Sequence, residues 1–187
     1  MEAIWQSFFL VALSEMGDKT QLLALMLAVR FKKPWPIMAG ILVATLLNHG
    51  LASAVGGWLA SLVDPSTLQL LLAALFIGFG LWILVPDSAG DTPSAPRFGA
   101  FVTTVVAFFI AEMGDKTQLA TVALGARFQA PISVTIGTTL GMLAADGLAV
   151  ACGERLTNIV PMKYMRLAAA SLFIGFGGYV LLSSRWR

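Results

Sequence analysis

Two stretches decide the fold: Glu15-Met-Gly-Asp-Lys-Thr-Gln-Leu22 and Glu112-Met-Gly-Asp-Lys-Thr-Gln-Leu119, identical over eight residues and 97 positions apart. The same offset, without a gap, lays Arg30-Phe31 on Arg127-Phe128 and Pro34 on Pro131. It also lays Gly50-Leu-Ala52 on Gly147-Leu-Ala149, and Leu75-Phe-Ile-Gly-Phe-Gly80 on Leu172-Phe-Ile-Gly-Phe-Gly177. The chain is a duplicated unit. Working outward, each motif is flanked by apolar runs, residues 3–14 and 20–29 around the first, 98–111 and 117–126 around the second.

Hydrophobic residues make up 58% of the 187-residue chain and charged residues only 12%, with a mean hydropathy of +0.83. A soluble domain carries about 25% charged residues. Half that amount cannot coat a water-soluble surface, so the composition is that of a membrane protein. One span takes about 20 apolar residues, and the length allows about six spans. Besides the two motif segments, apolar runs occupy 34–63, 65–86, 128–145 and 167–184, and the polar, proline-containing stretch 87–97 reads as a linker. Each motif with its flanks reads as one continuous helix of about 26 residues, roughly 39 Å long. Lipid requires every backbone group to be satisfied within the segment, which selects helices. The polar alternation of a membrane β-barrel is absent. The expected fold is therefore an all-α polytopic membrane protein with six transmembrane helices in two repeats, 1–86 and 98–187.

Three crossings per repeat bring the second copy in from the opposite side, so the repeats are expected to be inverted. That arrangement is a hallmark of secondary transporters, with the site near the midplane between the repeats. The connections 1–2, 3–4 and 5–6 hold Arg30, Lys32, Lys33, Arg97, Arg155, Lys163 and Arg166, against Arg127, Arg185 and Arg187 on the other side. The positive-inside rule then makes the first set cytoplasmic and leaves both termini outside. The N-terminus lacks a basic n-region, so the first segment reads as a retained span rather than a signal peptide. A net charge of +2, spread between apolar runs, does not suggest nucleic acid. The lone Cys152 excludes a disulfide framework and a CxxC metal or redox site.

An ionised group at the bilayer centre costs at least about 2.5–3.5 kcal/mol, so the six charged motif residues Glu15, Asp18, Lys19, Glu112, Asp115 and Lys116 need a purpose. On a continuous helix Glu15 and Asp18 would share a face, and inverted symmetry would bring Glu112 and Asp115 against them. Thr20, Gln21, Thr117 and Gln118 add neutral oxygens nearby. Four carboxylates without thiols form a hard site, suited to Ca²⁺, Mg²⁺ or Mn²⁺ rather than Zn²⁺ or Cu⁺. With the two lysines the site sums to −2, which one divalent ion or two protons would neutralise. Lys19 and Lys116 are expected to act as charge partners, pairing at i,i+4 with Glu15 and Glu112; that pairing alone would leave Asp18 and Asp115 unexplained.

His49 and Asp146 occupy equivalent positions in the second and fifth spans, each followed by Gly-Leu-Ala. They suggest a proton relay or gate, with a histidine simply hydrogen-bonded inside the bundle as the equal alternative. Gly78, Gly80, Gly175, Gly177 and the Gly137-x-x-x-Gly141 spacing are expected to permit close helix packing.

The doubled Glu-hydrophobic-Gly-Asp-Lys-Thr motif resembles the signature of the Gdt-type cation (calcium/manganese) transporter family, which includes the bacterial manganese exporters of the MneA type. The resemblance covers the whole chain, and both motif copies are intact as 15–20 and 112–117. It implies secondary transport of Mn²⁺ or Ca²⁺ out of the cytosol across a bacterial inner membrane, in exchange for protons, with Glu15, Asp18, Glu112 and Asp115 as metal ligands. It implies no catalytic residue and no resident cofactor. Two other readings compete: an exporter of a cationic organic solute such as a basic amino acid, and an intramembrane aspartyl hydrolase using Asp18 and Asp115. The counter-ion, H⁺ or Na⁺, and homo-oligomerisation stay open, since two three-helix halves can complete one unit within a chain.

Overall fold

The computed structural model describes residues 1–85, 98–152 and 162–183. These form eight α-helices and no strand: α1 Glu2–Glu15, α2 Lys19–Phe31, α3 Pro34–Ala60, α4 Pro65–Ile83, α5 Ala100–Glu112, α6 Lys116–Phe128, α7 Pro131–Cys152 and α8 Met162–Leu182. Among the described residues four helices are long and apolar enough to cross a membrane (α3, α4, α7 and 163–182 of α8), and α5 is a shorter apolar helix. The chain is a multi-pass helical protein. The whole 87–97 linker, with Arg97, and Arg155, Arg185 and Arg187 of the charge count lie outside the described residues.

The duplication is visible in the backbone. Lys32 and Gln129, 97 positions apart, both close their helices in the left-handed region (φ 52° and 48°), returning an N–H to Ala28 and Gly125. Both third segments then begin with a proline, where the missing N–H costs nothing. At the start of α4 the exposed Asp64 accepts from the N–H of Thr67 and the hydroxyl of Ser66, and these bonds pull its carboxyl down to about 2. The cap is therefore fully charged above the ordinary carboxylate range and lost only as pH falls toward that value.

One expectation fails. The motif segments are not continuous helices: α1 stops at Glu15 and α2 starts at Lys19, and α5 and α6 part in the same way at 113–115. Apolar flanks on both sides of a polar cluster do not distinguish one helix from two halves end to end.

The halves are interleaved rather than side by side. α1 packs along α7 and α5 along α3, so each first helix lies on the long helix of the other half; α3 meets α7, and α4 meets α8. Small residues set these approaches. A methyl group at Gly80 would lie 2.9 Å from the carbonyl oxygen of Ala170, and one at Gly177 3.0 Å from that of Ala73. Residues 73 and 170 are again 97 apart, so this contact is isologous, each half offering the other the same surface. Gly137 and Gly141 let α7 touch the backbone of α1 at Ile4 and Phe8. Gly78 and Gly175, expected to pack, face nothing within 4 Å. The tightest crossing joins α3 to α6, where Gly56 meets the carbonyl of Val122 and Gly125 meets that of Ser53.

Burial is inverted relative to a soluble protein. Leu51, Leu70 and Ile110 are 60–67% exposed, whereas Glu15, His49, Glu112 and Asp146 are 0% exposed. An apolar exterior is stable against lipid, and buried ionisable groups at membrane depth are what a candidate site is built from. Gly125→Ala is expected to push α6 off Ser53 and to lower the thermal midpoint in detergent by about 5 °C. Gly78→Ala should leave it unchanged; equal midpoints for the two variants would show that the crossing is not packed as described.

Candidate functional site

The motif builds its own helix break. Gly17 and Gly114 adopt φ +86° and +78°, a region that L side chains reach only with strain. Each glycine turns its N–H back onto the side-chain carbonyl of the glutamine four residues later, Gln21 at 2.9 Å and Gln118 at 2.7 Å. The next residue, Asp18 or Asp115, is the N-cap of the following half-helix. Glycine supplies the turn, glutamine satisfies the freed N–H, and aspartate begins the new helix. The glutamines also tie each break to the long helix of the other half, since Gln21 donates to the carbonyl of Ala145 at 3.0 Å and Gln118 to Asn48 at 3.4 Å. Residues 48 and 145 are repeat mates.

The break moves Glu15 and Asp18 apart, because they no longer share a helix. Glu15 is wholly buried and accepts two hydroxyl hydrogen bonds, from Thr20 at 2.5 Å and from Thr117 of the other repeat. Glu112, its repeat mate, is equally buried but accepts no hydrogen bond among the described residues. His49 faces it, with Nε2 3.8 Å from Oε2. Asp146, on α7, is buried within electrostatic range of both glutamates, and among the described residues neither of its oxygens has a hydrogen-bond partner. The ring nitrogens of His49 have none either. Three acids and a histidine from both repeats thus meet in one enclosed, donor-poor volume.

Asp18 and Asp115 lie further out, each 7% exposed. Asp115 accepts from the N–H of Lys116 at 2.7 Å and pairs with Lys19 at 3.1 Å. That pair corrects the expected i,i+4 bridge from Lys19 to Glu15: with the helix broken, the lysine reaches across to the other repeat. Lys116 likewise turns away from Glu112, lying over Trp82 at 5.7 Å and reaching the carbonyl of Val85 at 3.5 Å. Asp18 borders a surface cleft lined by Ser14, Met16, Lys116, Thr117 and Arg166. Glu15 and Glu112 therefore belong to the enclosed group, and Asp18 and Asp115 lie nearer the surface. Among the described residues no three His, Cys, Asp or Glu side chains already stand as a ligand set for a metal.

The sequence reading missed that the glutamines hold the breaks and that both threonines serve one glutamate. A glutamine four residues after a mid-segment glycine was the available signal for the first; nothing in two identical motifs signals the second.

The family model described as "Divalent cation/proton antiporter GDT1" matches residues 3–91 and 100–186. The chain belongs to the GDT1 family. This is a family of transporters, not of enzymes, which removes the hydrolase reading. A Vibrio cholerae protein named "Putative manganese exporter" is 44% identical over 93% of this chain and 88% of its own length. GDT1-like protein 5 of Arabidopsis thaliana is 29% identical over 98% of this chain and 96% of its own, and GDT1-like protein 3 of the same plant 26% identical over 94% and 69%. No solved structure matches the chain.

The cross-repeat ion pair is testable apart from transport. In a double-mutant cycle of Lys19→Met and Asp115→Asn, thermal unfolding in detergent should give a coupling of about 1 kcal/mol. Zero coupling, or coupling of Lys19 to Glu15 instead, would contradict the placement of Lys19.

Proposed function

We propose that this GDT1-family chain exports Mn²⁺, and Ca²⁺ as a second substrate, from the cytosol in exchange for protons. The observation that carries the reading is the enclosed group of Glu15, Glu112, Asp146 and His49. Glu112 and Asp146 are buried carboxylates without a hydrogen-bond partner among the described residues, which is costly, and a cation passing through is the partner their chemistry calls for. Hard oxygen donors suit Mn²⁺ or Ca²⁺, and the name of the Vibrio cholerae relative favours manganese.

In this reading Glu15 and Glu112 hold the ion at the centre, Asp18 and Asp115 receive it at the two mouths, and the threonines and glutamines order the breaks. Protons replace the ion on the return stroke, with His49 and Asp146 relaying them. The reciprocal contacts, and the paired breaks, support two inverted three-helix repeats. Each break would lie at membrane depth, where irregular backbone is tolerated only if protein or a cavity satisfies it, as Gln21 and Gln118 do. The basic residues Arg30, Lys32 and Lys33 face the cytosol, which puts both termini outside, in a bacterial inner membrane.

The test is flux into proteoliposomes that enclose a pH-sensitive dye, with Mn²⁺, Ca²⁺ or Mg²⁺ offered outside. Mn²⁺ uptake should be accompanied by loss of lumenal protons, and Asp18→Asn or Asp115→Asn should cut it at least about tenfold, the effect of removing a charged partner. Uptake without a pH change would refute proton exchange and turn the test to Na⁺. No divalent flux at all would refute the cation reading and leave the basic organic solute as the next substrate to offer.

A further inference from the structure

Two identical motifs are in unlike states, and the difference lies in two hydroxyl protons. A threonine hydroxyl carries one proton and can donate to one acceptor at a time. Thr20 and Thr117 both donate to Glu15, and Glu112 receives neither. The repeat relation maps Glu15 onto Glu112 and exchanges the two threonines, because 15 and 112, and 20 and 117, are each 97 apart. A second arrangement therefore exists on paper with the same bonds and the roles reversed, both hydroxyls on Glu112 and none on Glu15. The two arrangements exclude each other. Each buries one served and one unserved carboxylate, so their energies lie close, and a small bias selects between them.

The mouths of the site differ in the same sense. At the Asp115 end Lys19 bridges to the aspartate at 3.1 Å. At the other end Asp18 lies in a cleft that reaches the surface, lined also by Ser14, Lys116, Thr117 and Arg166. Thr117 belongs to both features: its side chain borders that cleft and its hydroxyl is bonded to Glu15. The served glutamate and this cleft thus share a residue.

We propose that Thr20 and Thr117 are a shared donor pair that passes between Glu15 and Glu112, and that this exchange selects which mouth of the site is open. The threonines are positioning residues: they act on the cation through the glutamate they hold or release. The inference rests on the transport reading above and adds the element that makes the site two-sided. It also explains why the described residues show no assembled ligand set, since Glu15 has to shed its hydroxyl donors before both its oxygens can face an ion.

The experiment reads the open mouth directly. Cys152 is exposed and the only cysteine, so Cys152→Ser gives a clean background for Ser14→Cys or its repeat mate Ala111→Cys. A membrane-impermeant thiol reagent, applied to each side in turn, gives the labelling ratio of 14 to 111. Glu112→Gln should raise that ratio and Glu15→Gln should lower it, each by about tenfold, the weight of one charge-assisted hydrogen bond. Thr20→Val with Thr117→Val should bring the ratio toward one, whereas the matching serine pair should keep the parent's value. If both glutamine variants move the ratio the same way, or the valine pair leaves it unchanged while the protein elutes as a single species, the exchange is refuted. Transport is measured on the same parent protein: absence of divalent flux there sinks the transport reading, while the labelling ratio still decides the switch.

Discussion

A backbone that leaves its helix inside an apolar surrounding must find hydrogen-bond partners within the protein, and here a single side-chain carbonyl provides the partner. The N–H of Gly17 on Gln21, repeated as Gly114 on Gln118, makes the break tolerable. Much else depends on it. Because the helix stops, the glutamate ending one half-helix and the aspartate starting the next point to different places, one to the centre and one to a mouth. Because a new helix starts, its lysine is carried across to the other repeat. A continuous helix with the same residues would give two i,i+4 ion pairs and no enclosed acidic centre.

Duplication supplies two such breaks, and interleaving brings them together. Neither repeat contains the site. Glu15 is held by a threonine from each half, and the polar side chains facing the two glutamates, His49 and Asp146, sit on the two long helices that cross at the centre. These two positions are also where the repeats differ in chemistry: a histidine stands by Glu112, and its mate is an acid. The centre is therefore symmetric in its motif glutamates, threonines and glutamines, and asymmetric in the second layer, which is the combination a two-state element needs if one state is to be favoured without being locked.

Much of this was legible in the sequence. The 97-residue offset gave the repeat, the charge-free runs gave α3, α4, α7 and most of α8, and the cost of intramembrane charge singled out the motif acids together with His49 and Asp146. What was not legible has physical causes. Apolar periodicity reports which residues avoid water, and the two halves of a broken helix avoid it as well as one whole helix, so the left-handed φ of Gly17 and Gly114 stayed hidden. Once the break was missed, a spacing of four implied a Lys19–Glu15 contact that the tertiary arrangement replaces with Lys19–Asp115. Gly80 and Gly177 were read correctly as packing positions and Gly78 and Gly175 were not, since helix phase decides which of two nearby glycines faces the neighbour. The unequal sharing of two threonines by identical motifs lies beyond any reading of sequence, because sequence identity carries no information about which of two equivalent arrangements a chain occupies.

The crossing of α3 and α6 has a mechanical consequence. Gly56 and Gly125 place backbone against backbone there, with no side chain between. Such a contact resists both compression and sliding, because there is no deformable layer to shear and each carbonyl sits in a notch cut to the size of a hydrogen atom. Tilting about the notch remains allowed. The crossing is a fulcrum, and displacement must grow with distance from it along both helices. Since α3 carries His49 about two turns from Gly56 and Pro34 about six turns from it, a modest tilt moves the centre less than the N-terminal end of α3. In α6 the end far from Gly125 is the one that carries Lys116 and Thr117, so a tilt about the crossing is felt at the motif itself.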